Sequence, residues 1–94
     1  MDEKEKMDQL IDLPNIGREL ARCLVAAKIT SLDHLKRLGS IQAAVRISPY
    51  RPTNSACRNA LFALEGALRG IRWHDIPKAD REVLWAEYKV RSGG

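Results

Sequence analysis

The clearest candidate for chemistry is the segment 13–17, Leu-Pro-Asn-Ile-Gly, which lies between two stretches with helical spacing. Pro14 lacks a backbone donor and disfavours helix at Leu13, so the first helix must end near that point. Gly17 opens the next helix and permits a positive φ or the close approach of another group. A helix N-terminus offers free N–H groups and a partial positive charge, which attract anions and phosphate above all. This segment, hereafter the LPNIG corner, is therefore a candidate phosphate site.

The corner is similar to the helix-hairpin-helix pattern, whose backbone N–H groups hold a DNA phosphate without reading sequence. That pattern has glycine where this chain has Asn15, and Asn is the side chain that best tolerates left-handed backbone. The alternative interpretation is a helix corner used only for packing. If the corner binds duplex DNA, the candidate residues are those of the corner and the basic residues after it and on the fifth helix: Asn15, Ile16, Gly17, Arg18, Arg22, Arg58, Arg69 and Arg72.

The distribution of charge is compatible with this interpretation. The chain of 94 residues has a net charge of +4, and residues 13–72 carry ten basic and three acidic side chains. A basic centre suits a phosphate-bearing or acidic partner, although a solvated basic surface has the same composition. Aromatic residues make up only 5% of the chain, which disfavours base stacking and hence single-strand binding.

Residues that could support catalysis or bind a metal are few. His34 and His74 are far apart in sequence, and Cys23 and Cys57 both fall on apolar helix stripes, where a buried, inert thiol is the common state. These two histidines and two cysteines do not have the short spacing in sequence that is typical of pairs of metal ligands. We therefore predict that the protein has no enzymatic activity and binds no metal or cofactor. The absence of a signal peptide or an apolar run of about 18 residues predicts a cytoplasmic protein with reduced cysteines and no membrane partner.

Apolar spacing predicts an all-α fold, a compact bundle of five to six helices with a helix-hairpin-helix-like N-terminal half. We expect one domain over 1–94, with residues 1–6 and 91–94 loose. The predicted helices cover 1–12, 17–28, 31–38, 41–47, 53–70 and 77–90, and the fifth is expected to be central. The expected helix caps are Thr30, Ser40, and Asp75 or its neighbour.

Two features of the last two helices bear on partners. Gly66 costs a helix about 1 kcal/mol relative to Ala, which predicts the close approach of another helix. The sixth helix is expected to bury a stripe that Leu84 and Tyr88 widen and that consists of Ile76, Ala79, Val83, Ala86 and Val90. Trp85 lies off that stripe, so Trp85 and Tyr88 are candidates for binding a protein partner or for a homodimer, the alternative being that they cover the edge of the core.

The segments LPNIGRELARCLVAAKITSLDHLKRLGSIQAAVRI and ALFALEGALRGIRWHDIP together resemble the C-terminal domain of TfoX/Sxy-type regulators of DNA transformation competence. The resemblance spans about residues 8–80. It implies an all-helical domain related to helix-hairpin-helix folds, in a bacterial cytosolic protein without enzymatic activity. Longer members of that family carry an N-terminal α/β domain, whereas this sequence begins at its first helix, so we expect a stand-alone relative.

The sequence therefore predicts a regulatory binding module linked to competence or transcription regulation. Its partners would be duplex DNA, bound nonspecifically at the LPNIG corner, and a protein of the transcription or competence machinery. The alternative is a protein–protein adaptor or a homo-oligomerising domain that does not bind DNA.

Overall fold

The helices of the fold pack around the fourth and fifth helices of the chain. The computed structural model describes residues 3–52 and 57–92, and the predicted starts of the first and fifth helices lie outside them. The predicted all-α class is confirmed, since the described residues contain no strand and the radius of gyration of 12.3 Å fits a compact chain of this length. The elements in the described residues are α1 (Glu3–Ile11), α2 (Arg18–Ala26), α3 (Leu32–Leu38), α4 (Ser40–Ile47), η1 (Ser48–Tyr50), α5 (Cys57–Arg69), η2 (Trp73–Asp75) and α6 (Lys78–Arg91), where η denotes a 3₁₀ helix.

The core contains large aliphatic side chains from five of the helices and from the turn after α2. Ile29, which follows α2, is fully buried. The helix with the most helical neighbours is α4, which packs on α2, α3, α5 and α6, and it shares the centre with α5, the helix predicted to be central, which packs on α3, α4 and α6. The largest fully buried aliphatic residues are Leu10, Leu24, Ile29, Leu35, Ile47, Leu61, Leu64 and Ile76.

The caps differ from the predicted ones. Ser31, not Thr30, caps α3, because its hydroxyl accepts the N–H of His34 at 3.1 Å. The N-cap of α6 is Pro77, with no side-chain hydrogen bond, so Asp75 does not cap that helix. Thr30 and Ser31 are neighbours of similar cap propensity, which explains the first error. Asp75 is instead the last residue of η2, two residues before the N-cap of α6.

Ser40 is also not a cap. It is the first residue of α4, where it is buried and donates its hydroxyl to Glu65 Oε1 at 2.6 Å. This bond ties α4 to α5. Its acceptor is charged, and hydrogen bonds to charged groups contribute about 1.5–3 kcal/mol.

The buried face of α6 agrees only in part with the predicted one. Tyr88 is buried and Leu84 is half-buried, as predicted, and Trp85 is half-buried beside them, whereas the central members of the predicted stripe lie outside. Val83 and Val90 are 62% and 81% exposed. Of the residues predicted inside, Tyr88 and Ile76, which precedes the helix, are buried, and Leu84 is half-buried. The exposed members of the predicted stripe are Ala79, Val83, Ala86 and Val90.

Substitution on α6 separates these two faces. Val90→Ala should change the free energy of unfolding by less than about 0.5 kcal/mol, because the side chain is in water. Leu84→Ala should cost about 1–2 kcal/mol, since it removes partly buried methyl groups. Urea unfolding of both variants measures the difference, and equal losses would mean that α6 is rotated from the orientation described here.

Candidate nucleic-acid interface

The LPNIG corner joins α1 to α2 by a tight turn. Leu13 donates its N–H to Leu10 O at 3.0 Å, and Ile16 donates to Leu13 O at 3.3 Å. Asn15 takes the left-handed conformation, φ 67°, as predicted for the residue that replaces glycine. Ile16 is buried and anchors the turn in the core. Gly17 needs none of glycine's special freedom, because its φ is −88° and a Cβ there would meet nothing within 4 Å.

The side chain of Asn15 points into the protein and joins the corner to the loop after α5. Its Nδ2 donates to Ile71 O at 2.8 Å, and its Oδ1 accepts the N–H of Trp73 at 3.1 Å. The two bonds flank Arg72, so this exposed arginine is held beside the corner although it is more than fifty residues away in sequence. One amide thus satisfies two backbone groups and fixes both segments.

Gly66 is explained by this amide. A Cβ on Gly66 would overlap Asn15 Nδ2 and would lie 2.8 Å from Ile71 O and 3.2 Å from Trp73 N. The predicted close approach is therefore real, but the group that approaches is a side chain and a loop backbone rather than another helix.

The N-terminus of α2 is open at the surface. Its first intrahelical bond runs from Ala21 N–H to Gly17 O at 2.9 Å, and Gly17 supplies no side-chain cap. The N–H groups of the first turn therefore remain available to an external acceptor. Arg18 and Arg22 are exposed one turn apart on the same helix, and Glu19 is an exposed acid in the same first turn.

The arginines of α5 have partners inside the chain. Arg69 bonds Glu65 at 2.7 Å and Asp80 of α6 at 2.9 Å. The hydrogen bond with Glu65 and then that with Asp80 raise the pKa of Arg69, which stays cationic. The guanidinium of Arg58 lies 5.3 Å from the ring centroid of Trp85. Of the residues predicted to contact DNA, the structure thus groups Arg72 with the corner and directs Arg58 and Arg69 toward α6.

The predicted partner residues lie on the buried side of α6. The rings of Trp85 and Tyr88 stack at 5.5 Å between centroids, and Tyr88 is only 5% exposed, so it offers little surface to a partner. Trp85 borders a cavity of about 210 Å³ between α5 and α6. Sequence reasoning missed the cationic walls of this cavity, although the i, i+4 spacing of Arg81 and Trp85 was a usable signal. The cavity is lined by Arg58, Phe62, Lys78, Arg81, Glu82 and Trp85.

The thiol of Cys23 is fully buried, as its position on the apolar stripe predicts, and it donates to Tyr50 O at 3.4 Å. The side chain of Cys57 lies outside the described residues. Across the part of the chain that the structure describes, no three His, Cys, Asp or Glu residues come together as a metal site. No helix in that part is long and apolar enough to cross a membrane.

The fold and corner define a small all-α domain in which a hairpin between α1 and α2 exposes a helix N-terminus. The sequence profile of the TfoX C-terminal domain matches residues 6–88. The chain belongs to the TfoX C-terminal domain family, as the resemblance in the sequence indicated.

Solved structures with the same fold come from Listeria monocytogenes. One, an uncharacterized protein in a triclinic crystal form, is 39% identical with a TM-score of 0.77, over 89% of this chain and 93% of its own. The other, a protein of unknown function in a tetragonal form, is 38% identical with a TM-score of 0.75, over 88% of this chain and 99% of its own. A comparison with curated proteins found no match.

Proposed function

We propose that this domain is a non-enzymatic regulatory module that contacts duplex DNA phosphates nonspecifically through the LPNIG corner. Membership of the TfoX C-terminal domain family supports a role related to competence or transcription regulation in the bacterial cytoplasm. The observation that carries the DNA contact is the uncapped N-terminus of α2 with exposed arginines around it. A protein of the same machinery would supply sequence specificity, since phosphate contacts supply none.

The charges around the corner favour an anion on balance. Arg18 and Arg22 are exposed on the helix whose first-turn N–H groups are free, and Asn15 holds the backbone on either side of the exposed Arg72 to the corner. Glu19 opposes them from the same turn, and Asp12 is an exposed acid just before the corner. Three cations against two acids, added to the partial positive charge of the helix end, suit a phosphate. Arg58 and Arg69 are left out of this surface because they have partners on α6.

Neutralising the corner should weaken DNA binding. The double variant Arg18→Gln/Arg22→Gln should raise the Kd for a labelled 20-bp random duplex at least tenfold, measured by fluorescence anisotropy at low salt, because two phosphate contacts are lost. Glu19→Gln should change the affinity in the opposite direction, lowering the Kd two- to threefold.

The matched control is Arg46→Gln/Arg91→Gln, which removes the same charge from exposed positions on α4 and α6. Its Kd should stay within twofold of that of the wild type. Equal losses in the two double variants would contradict a site at the corner, and would indicate attraction by net charge alone.

A second candidate function is the protein adaptor that does not bind DNA. The observation that favours it is the cavity beside Trp85, because Trp and Arg residues in a central pocket are typical of binding hot spots. Under this alternative the corner serves packing only, and duplex DNA is not retained at any salt concentration.

A further inference from the structure

We infer that the cavity between α5 and α6, hereafter the α5–α6 pocket, binds a glutamate side chain from an acidic segment of a protein partner. This inference rests on the adaptor role and is independent of DNA contact at the corner. The pocket has about 210 Å³ of space and is lined by Arg58, Phe62, Lys78, Arg81, Glu82 and Trp85. Small-molecule sites usually occupy about 300–1,000 Å³, so this volume fits one side chain better than a nucleotide or a cofactor.

The charges that line the α5–α6 pocket favour a negatively charged ligand. Three cations face a single carboxylate, that of Glu82, which leaves an excess of positive charge at the pocket. An incoming carboxylate would be attracted by this excess and would accept hydrogen bonds from the guanidinium groups.

The two guanidinium groups are already held in place. Arg58 lies over the ring of Trp85 at 5.3 Å, and Arg81 lies over the ring of Trp73 at 5.9 Å. Such contacts restrict the long arginine side chains before a ligand arrives, which lowers the entropy lost on binding. Arginine then offers the planar pair of donors that a carboxylate accepts.

The aromatic walls favour a protein side chain over a nucleobase. Besides Arg58, the ring of Trp85 has Tyr88 stacked at 5.5 Å and Lys89 Nζ at 5.7 Å from its centroid. A base would have to displace these neighbours to stack. The methylene groups of a glutamate need only the apolar edge of Trp85 and the nearly buried Phe62.

The test uses a fluorescein-labelled hexaglutamate peptide and anisotropy in 150 mM salt. Arg81→Gln and Arg58→Gln should each raise the peptide Kd at least tenfold, and Glu82→Gln should lower it two- to threefold. Lys78→Gln, at an exposed position that keeps both aromatic contacts intact, should raise it about threefold and covers the case in which Arg81→Gln does not fold. The control Arg46→Gln should change the Kd less than twofold.

The inference is overturned if the peptide does not bind, or if Arg46→Gln weakens binding as much as the pocket variants do. It is also overturned if duplex DNA displaces the peptide and the pocket variants lose DNA affinity, because the pocket would then belong to a DNA surface. The variant Arg18→Gln/Arg22→Gln should keep its affinity for the peptide. A failure of the proposed DNA binding at the corner is therefore distinguishable from a failure of the proposed peptide binding at the pocket.

Discussion

Gly66→Ala is expected to destabilise the domain by about 2–4 kcal/mol, although alanine is the better helix former. The new Cβ would overlap the amide of Asn15 and lie 2.8 Å from Ile71 O. Ile71 O is a backbone atom and cannot move aside as the end of a flexible side chain can. The loop after α5 must therefore shift, and the hydrogen bonds that join Asn15 to Ile71 and Trp73 must break. Their loss and the strain outweigh the gain of about 1 kcal/mol in helix propensity.

Urea unfolding measures this effect, and Gly17→Ala is the matched control. At Gly17 the φ of −88° suits any residue and the space around a Cβ is empty, so the change should stay within about 1 kcal/mol. A Gly66→Ala protein as stable as the wild type would contradict the contact between α5 and the corner.

Asn15→Asp is expected to cost about 2–4 kcal/mol at neutral pH, although the two side chains have the same shape. The carboxylate can still accept from Trp73 N–H, but it cannot donate to Ile71 O and would place a negative charge against that carbonyl. Acidification should restore part of the stability, because the protonated carboxyl group can donate again. Urea unfolding at two pH values checks both statements, and a loss that does not depend on pH would contradict the assigned direction of the bonds.

Asn15→Gly separates the role of the side chain from that of the turn. Glycine relieves the positive φ of 67°, so a protein in which Asn15 served only the turn would become more stable. We expect a loss instead, since Ile71 O and Trp73 N–H lose their partner. In the Asn15→Gly background, Gly66→Ala should cost at least about 1 kcal/mol less than in the wild type, because the overlapping amide is gone.

Several parts of the fold were predictable because their causes are local. Pro14 ends α1, and Asn15 takes the left-handed conformation that its position requires. Ile29 is buried at the end of α2, and Glu65 pairs with Arg69 one helical turn away. Each depends on neighbours within about one turn of the chain, which spacing alone reveals.

The errors come from choices that tertiary packing makes. In α6 the sequence favoured a regular stripe through Val83 and Val90, with Leu84 and Tyr88 at its edge. The structure instead turns the side with Leu84, Trp85 and Tyr88 toward the core, because larger and aromatic side chains remove more apolar surface from water. The bridge from Asn15 to the loop beside Gly66 joins distant segments, so no local pattern could reveal it. The α5–α6 pocket was missed because Arg58 and Phe62 of α5 meet α6 only in the folded chain, although the spacing of Arg81 and Trp85 gave a local signal for one wall.

The most direct test of phosphate contact at the LPNIG corner is the salt dependence of binding to a random 20-bp duplex. With about four phosphate contacts, log K should fall against log salt with a slope of about −3.6, and Arg18→Gln/Arg22→Gln should reduce the slope to about −1.8. A slope near zero, or an identical slope in that variant, would contradict the proposed function.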